Sequence, residues 1–474
     1  MRSSRLVKLA GLAILALAGS AGLVHAVTPC TPGQVQVSIV YDGATAVNLT
    51  LQRTAVSLFG NPNAGSGTDI RSYRGMLDLV PDPSNTPDTC VQFLLASGSG
   101  SCEGVEKLDK NQGTFNVCTP DTGSGQGTPN PTGCTLVQAS TLGFDANVVG
   151  SDVAADLCAT VIVGGLTRPN VFAATESVPF VIPFSLIANR ALANLLPASR
   201  VTPHPNPASL DPNGDPAFDL YDHARVDFGL SRDQANGIFG LNSTCDWRQV
   251  DPGVDPNNST TRAIGAVMRN YLSGTRNNFN ATVLQFGPAG DGDIFVPGTG
   301  DVINRVNNNR WCGTNASECG EIPGAGTGFG FPACNSVNPP ALNNQAISVG
   351  YIGTDRGRVR DPLTPLDPFD DYLVDGSNTD LYFFMKYNGR QFNKASVQCG
   401  IYEYWSGERL YYDTANFPNG SVGQKAAQAL VSGAAVFADQ DTRVVATSEM
   451  HFSRARDGAT PFPIAAFTPD CTNR

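Results

Sequence analysis

The stretch MRNYLSGTRNNF, residues 268–279, sets Arg269 four positions ahead of Ser273-Gly274-Thr275, with Arg276 directly after. A guanidinium, two hydroxyls and a glycine that lets the backbone come close are groups that gather round an oxyanion. A plain surface loop entering a helix is the competing reading of the same residues. Three further turns share the small-residue character: Gly43-Ala44-Thr45, Ser99-Gly100-Ser101 and Ser151-Asp152. Where such a turn opens a helix, the unpaired N–H groups and the helix dipole favour a bound anion without a metal. Capping uses the same geometry, so Thr45 and Ser101 read equally as caps, and a helix cap is the lesser reading of Asp152.

The elements that would position these turns are legible as periodic segments. VQVSIVYDGATAV (35–47) starts as an alternating β-branched strand, breaks at Asp42-Gly43 and runs into the helical NLTLQRTAVSLF. TCVQFLLASGSGSCEGVEKL (89–108) repeats strand, turn and helix, and ANVVGSDVAADLC (146–158) brings a strand to Ser151-Asp152. SVPFVIPFSLIANRAL (177–192) is an apolar strand long enough to run between two lobes. LSRDQANGIFG (230–240) predicts a helix capped by Ser231 and ended by Gly240. TTRAIGAVMRNYLSGTRNNFNATVL predicts a strand, the turn and a helix from about Ser273; QAISVGYIG is a returning strand, and 422–438 a helix. Residues 60–75, 200–222 and 286–340 read as loops, and 110–140 as an exposed insertion held by a Cys118–Cys134 disulfide. Strands alternating with helices give an α/β class.

Residues 1–26 predict a secretory signal peptide: Arg2, Arg5 and Lys8 precede an apolar run that ends in VHA. No later segment is apolar over the ~18 residues a membrane span needs, and no lipid-attachment box precedes Cys30. A periplasmic or secreted location follows as the expectation. Cleavage would move the net charge from −11 to about −14, which argues against nucleic acid as a partner. An even 12 cysteines in an oxidising compartment predict disulfides. No C-x-x-C occurs, and His204, His223 and His451 lack metal-ligand spacing, so no metal or cofactor is expected. The acidic DPNGDPAFDLYD (211–222) lacks calcium-loop spacing, and GAGTGFG (324–330) fits no nucleotide-binding pattern.

Taken in order, GAT (43–45), GSCEGVEKL (100–108), VGSDV (149–153), FSLIANRAL, LSRDQANGIFGLNSTCDW, RNYLSGT and AISVGYIG resemble the motifs of the periplasmic phosphate-binding proteins of ABC importers, within the type II periplasmic binding protein superfamily. The resemblance covers most of residues 35–355 and thins beyond. It implies a two-lobed α/β fold, each lobe a mixed sheet flanked by helices, with two crossover strands. Lobe I would comprise 27–185 and 355–474, and lobe II 186–354. It further implies that Thr45, the backbone at Ala46, Ser101 and Asp152 bind inorganic phosphate from one lobe, and Arg269, Ser273, Gly274 and Thr275 from the other. The implied partner is an ABC transporter permease and the implied state a monomer. The chain departs from the family at Ala46, where an aromatic residue is usual, and at Cys102, where a second small residue is usual.

Two other classes compete. The same fold could serve surface attachment or matrix assembly, with the insertions as contact surface. An enzyme such as a phosphatase ranks below both, because the sequence itself specifies no Ser-His-Asp set, metal cluster or carboxylate pair.

Overall fold

The computed structural model describes residues 28, 30–60, 63–64, 70–80, 86–96, 100–118, 134–162, 164–166, 175–202, 225–241, 243–244, 246–254, 263–285, 294–296, 298–308, 346–354, 382–390, 392–440, 444–464 and 471. The signal segment, Ser99, the acidic 211–222, the glycine-rich 324–330, His204, His223, Cys245, Cys312, Cys319 and Cys334 lie outside them.

Short β-branched and aromatic runs bounded by glycine and polar turns form a 12-stranded mixed sheet. Its strands are β1 (Val37–Gly43), β2 (Asn63–Ala64), β3 (Arg71–Leu77), β4 (Thr89–Leu95), β7 (Val148–Ser151), β8 (Thr175–Asn189), β9 (Ala263–Arg269), β10 (Ile294–Val296), β11 (Ala346–Gly353), β12 (Tyr382–Phe384), β13 (Trp405–Tyr412) and β14 (Val445–Ala446). A hairpin outside it, β5 (Asn116–Cys118) and β6 (Leu136–Gln138), completes the numbering. The spatial order is β10-β9-β11-β8-β13-β7-β1-β4-β3-β2, with β12 and β14 also on β8.

The 15-residue β8 joins two halves of this sheet. Its first part, Thr175–Pro183, pairs antiparallel with β13, and Phe184–Ala188 pairs antiparallel with β11. On one side β1 runs parallel to both β4 and β7; on the other β9 runs parallel to both β10 and β11. β12 pairs with β8 at Ile187–Asn189, so the chain after residue 355 returns first to the second half, before β13 joins the first.

Helices follow the parallel strands: α1 (Asn48–Phe59), α2 (Ser101–Lys110), α3 (Ala155–Ala159), α4 (Arg232–Phe239), α5 (Gly274–Thr282) and α6 (Thr299–Asn307), with α7 (Val422–Gln440) near the C-terminus. Ala426, Leu430, Ala434 and Ala438 recur at four-residue spacing and are buried, the stripe that packs α7 inward. At Gly433 a Cβ would meet Thr54 Cγ2, so glycine is what lets α7 come close to α1. Ser231 caps α4, its hydroxyl accepting from Gln234 N–H at 3.2 Å.

Three expectations are corrected. Residues 60–75 hold β2 and the start of β3, paired with each other and onward to β4. Residues 286–340 hold β10 and α6. The 110–140 insertion has a buried stem, because Phe115, Val117 and Ala139 pack into a core cluster with Val105 and Leu108 of α2, and Cys118, next in the chain after Val117, is buried as well. Four disulfides tie the described chain: Cys30–Cys90, Cys102–Cys158, Cys118–Cys134 and Cys399–Cys471. Among the described residues no helix is long and apolar enough to cross a membrane.

Candidate anion-binding site

The carboxyl ends of β1, β4, β7 and β9 point to one crevice, the usual ligand position in open α/β sheets. β1 delivers a 3-10 turn, Thr45–Val47, ahead of α1. β4 leads to Gly100, whose φ of 130° is reached without strain only by glycine, and then to α2. β7 ends at Ser151-Asp152, and β9 ends at Arg269, from which the loop 270–273 enters α5.

Asp152 and the first turn of α5 meet across this crevice. Thr275 Oγ1 donates to Asp152 Oδ2 at 2.8 Å, and Asp152 N–H donates to Ser101 Oγ at 3.2 Å. A Cβ at Gly274 would collide with Ser101 Oγ and lie 3.1 Å from Asp152 Cβ, so only glycine allows the approach. Cys102 N–H, at the start of α2, donates to Leu272 O at 3.0 Å, and Asn277 Nδ2 lies 3.5 Å from Cys102 Sγ. Cys102 is bonded to Cys158 of α3, so the disulfide clamps the two walls that carry Ser101 and Asp152. This gives Cys102 a reason to stand where a small residue was expected.

Arg269 is 2% exposed. Its backbone N–H donates to the Tyr351 hydroxyl at 3.2 Å, and its Nη1 donates to Thr299 Oγ1 at 2.7 Å. Thr299 Oγ1 lies 3.4 Å from Thr45 Oγ1, which links the guanidinium to the turn after β1. Beneath it, Phe279 of α5 stacks on Tyr351 at 4.2 Å, and Phe239 meets both rings edge-on. That aromatic packing fixes the height of α5 and of the Arg269 backbone together. The second arginine acts differently. Arg276 Nη1 donates to Arg269 O at 3.0 Å and closes the loop on itself. Ser273 caps α5, its Oγ accepting from Arg276 N–H at 3.4 Å, while its own proton remains available to donate.

Thr45, Ser101, Asp152, Arg269, Ser273, Gly274 and Thr275 therefore converge, and all but the half-buried Thr45 are buried. Ala46 lies in the same 3-10 turn as Thr45 and brings its backbone alongside. Burial pushes the Asp152 carboxyl above its ordinary range, against the pull of Thr275, Glu408, Arg269 and Ser101. Nearby, Lys107 of α2 bonds Asp42 Oδ2 at 2.9 Å. Burial disfavours the Lys107 charge, but Asp42 and Glu103 hold its pKa above the ordinary value.

Two residues of the site went unread in the sequence. Thr299 opens α6 from Gly298-Thr299-Gly300, and its signal was the strand–small turn–helix order of DIFVPGTGDVINRV inside a segment whose composition reads as loop. Glu408 is wholly buried on β13, and only the sheet register brings it to Asp152. Among the described residues no cluster of His, Cys, Asp and Glu could hold a metal ion. Ser, Thr, Arg and helix N–H donors around one carboxylate suit a small, protonated oxyanion.

No protein-family model matches the sequence, and none of the curated proteins does. Solved structures align over most of the chain. A substrate-binding protein assigned to phosphate ABC transport from Clostridium perfringens, with bound phosphate, is 11% identical and covers 86% of this chain and 99% of its own, at a TM-score of 0.42. An ABC-type phosphate transport receptor from Vibrio cholerae is 12% identical, covering 83% and 93%, at 0.35. PstS from Borrelia burgdorferi is 11% identical, covering 83% and 92%, at 0.31. At TM-scores this low, ligand and role rest on the site's own geometry.

Proposed function

We propose that the chain is an exported solute-binding protein that captures inorganic phosphate between two lobes and presents it to an ABC-type membrane permease. The lobes would be 27–185 with 355–474, and 186–354, with residues 1–26 removed on export. Phosphate would be held by Thr45, the Ala46 backbone, Ser101, Asp152, Arg269, Ser273, Gly274 and Thr275.

The observation that carries this reading is the buried meeting of the α5 and α2 N-termini around Asp152 and Arg269. Two sets of helix N–H groups and a guanidinium supply positive potential where the chain as a whole is acidic; distant surface charge is screened beyond ~8 Å at physiological salt. The carboxylate accepts a hydrogen bond from the O–H that phosphate, unlike sulfate, still carries at neutral pH. Calorimetric titration of the mature protein with phosphate and with sulfate tests the reading. Saturable phosphate uptake with weaker sulfate uptake is expected, and no heat from either anion would reject it. A phosphomonoester assay, expected to be blank, separates capture from hydrolysis.

A further inference from the structure

Glu408 is 0% exposed and Asp152 3% exposed. They come from strands paired antiparallel, with Arg409 opposite Ser151, and the same register carried one residue further sets Glu408 opposite Asp152. Cross-strand partners have their side chains on one face, within reach of each other. Glu408 is among the groups that act on the Asp152 carboxyl. Ionised carboxylates only accept hydrogen bonds, so two buried carboxyls set side by side can bond only with a proton on one of them. Asp152 Oδ1 receives no hydrogen bond from any fixed donor among the described residues, which leaves that oxygen for such a proton.

The surroundings favour retaining it. Arg269 from β9 is the cation that acts on Asp152. Tyr41 from β1 feels Glu408, Asp42 and Asp152 together, and Tyr404, just before β13, feels Asp152. Asp42 is itself matched by Lys107. Arg409, the neighbour of Glu408, is engaged with Glu176 at 3.0 Å and Asp457 at 2.9 Å. On the other flank β8 sets Phe180 opposite Glu408. Two full negative charges beside one guanidinium, in a site meant for an anion, would repel the ligand.

We propose that Glu408 and Asp152 hold one proton between them, and that Glu408 is a positioning residue that sets the charge the bound anion meets. The inference rests on the phosphate reading for its effect on the ligand, but the shared proton stands on the carboxyl pair itself. Glu408 donates to Asp152 Oδ1, Thr275 donates to Oδ2, and the remaining lone pairs of Asp152 accept a hydrogen bond from the ligand's O–H. When alkali removes the shared proton, a second negative charge appears beside the anion and expels it. The pair titrates as a unit.

Phosphate titrations from pH 6 to about 9.5 on wild type, Glu408→Gln and Glu408→Ala test this. In wild type, affinity is expected to fall with rising pH more steeply than ligand ionisation predicts, by about tenfold, the effect of a one-unit pKa interaction. Glu408→Gln keeps a donor and cannot take the charge, so its decline should be shallower; Glu408→Ala should bind more weakly at every pH. Parallel wild-type and Glu408→Gln profiles would overturn the proposal. Infrared spectroscopy of ligand-free protein at neutral pH gives an independent reading: a protonated-carboxyl band present in wild type and lost in both Glu408→Gln and Asp152→Asn. If wild type takes up no phosphate at any pH, the phosphate reading falls, and the absence or presence of that band alone decides the shared proton.

Discussion

Thr275 Oγ1 and Asp152 Oδ2, 123 residues apart in the chain, meet at 2.8 Å between the first turn of α5 and the end of β7. The hydroxyl holds the carboxylate in place across the crevice and can also turn to an anion seated there. Thr275→Val keeps the shape and removes the donor, leaving a buried acceptor short of a bond. Phosphate affinity should drop about tenfold and unfolding free energy by roughly 1–2 kcal/mol, with Thr275→Ser restoring most of both. Calorimetry and denaturant melts read the two effects; a valine variant that binds like wild type would remove Thr275 from the site.

Arg269→Ala should be more severe. Deleting a buried charge-assisted donor costs at least ~2 kcal/mol, about thirtyfold in affinity. Thr299→Val, which removes the hydroxyl that meets Nη1 and Thr45 Oγ1 but leaves the guanidinium in place, should cost less than Arg269→Ala. Unchanged phosphate affinity in a folded Arg269→Ala protein would refute the assignment.

Anion choice should turn on Asp152. Sulfate has no proton to give at neutral pH, so one of its oxygens would face the carboxylate's lone pairs in a dry site. Asp152→Asn replaces the charge with an amide that can rotate to donate. Competition titrations should show sulfate gaining on phosphate, with phosphate itself modestly weakened. An unaltered preference would make Asp152 a cap and nothing more.

The same carboxyl predicts a pH effect on the ligand-free fold. Burial raises the Asp152 pKa in the folded state, so the folded chain holds the proton more tightly than the unfolded chain. Its stabilising contribution is full below the ordinary carboxylate value of ~3.9 and is lost as pH rises through the raised folded value. Asp152→Asn cannot ionise. Its Tm should exceed that of wild type at pH 8, with the gap narrowing as the pH falls. A gap that widens toward acid would contradict the assigned direction.

Closure can be followed by small-angle scattering. β8 and β11 join the halves of the sheet at Phe184–Ala188 and Val349–Gly353, and the chain near 184–189 and 350–354 should act as the hinge. Phosphate at saturation should reduce the radius of gyration, and superimposable curves would exclude ligand-driven closure.

How much of this was legible in the sequence follows from how far apart the partners lie. Arg269, Ser273, Gly274 and Thr275 sit within seven residues, one strand end and one helix start, so their spacing marks a candidate anion turn, and the order of the motifs along the chain supplied the rest. Thr299 escaped because its strand is three residues long and its helix begins at Gly-Thr-Gly, which on composition is loop. Glu408 had no local signal at all: a glutamate in WSGERLYY is ordinary until β13 pairs with β7. The buried stem of residues 115–118 was hidden for a similar reason, since the turn-rich residues between its strands dominated the composition.

The last long described stretch of the chain, 444–464, carries a consequence for how the molecule is made. Arg454 lies over the Trp405 ring at 4.0 Å and donates to Trp405 O at 2.9 Å and Thr282 Oγ1 at 3.5 Å. Asp457 accepts from Ala154 N–H at 2.7 Å, and Gly458 is pressed against Ala281 of α5. These residues stitch α3, α5 and β13 together, yet they follow most strands of the sheet by tens to hundreds of residues in the chain. The Cys399–Cys471 disulfide, 72 residues apart in the chain, closes over this seam only once the segment between is made. A chain cut short of residue 450 would keep the direct bonds across the crevice, Thr275 to Asp152 and Cys102 to Leu272, but would lose the Arg454 and Asp457 contacts that brace both walls from behind.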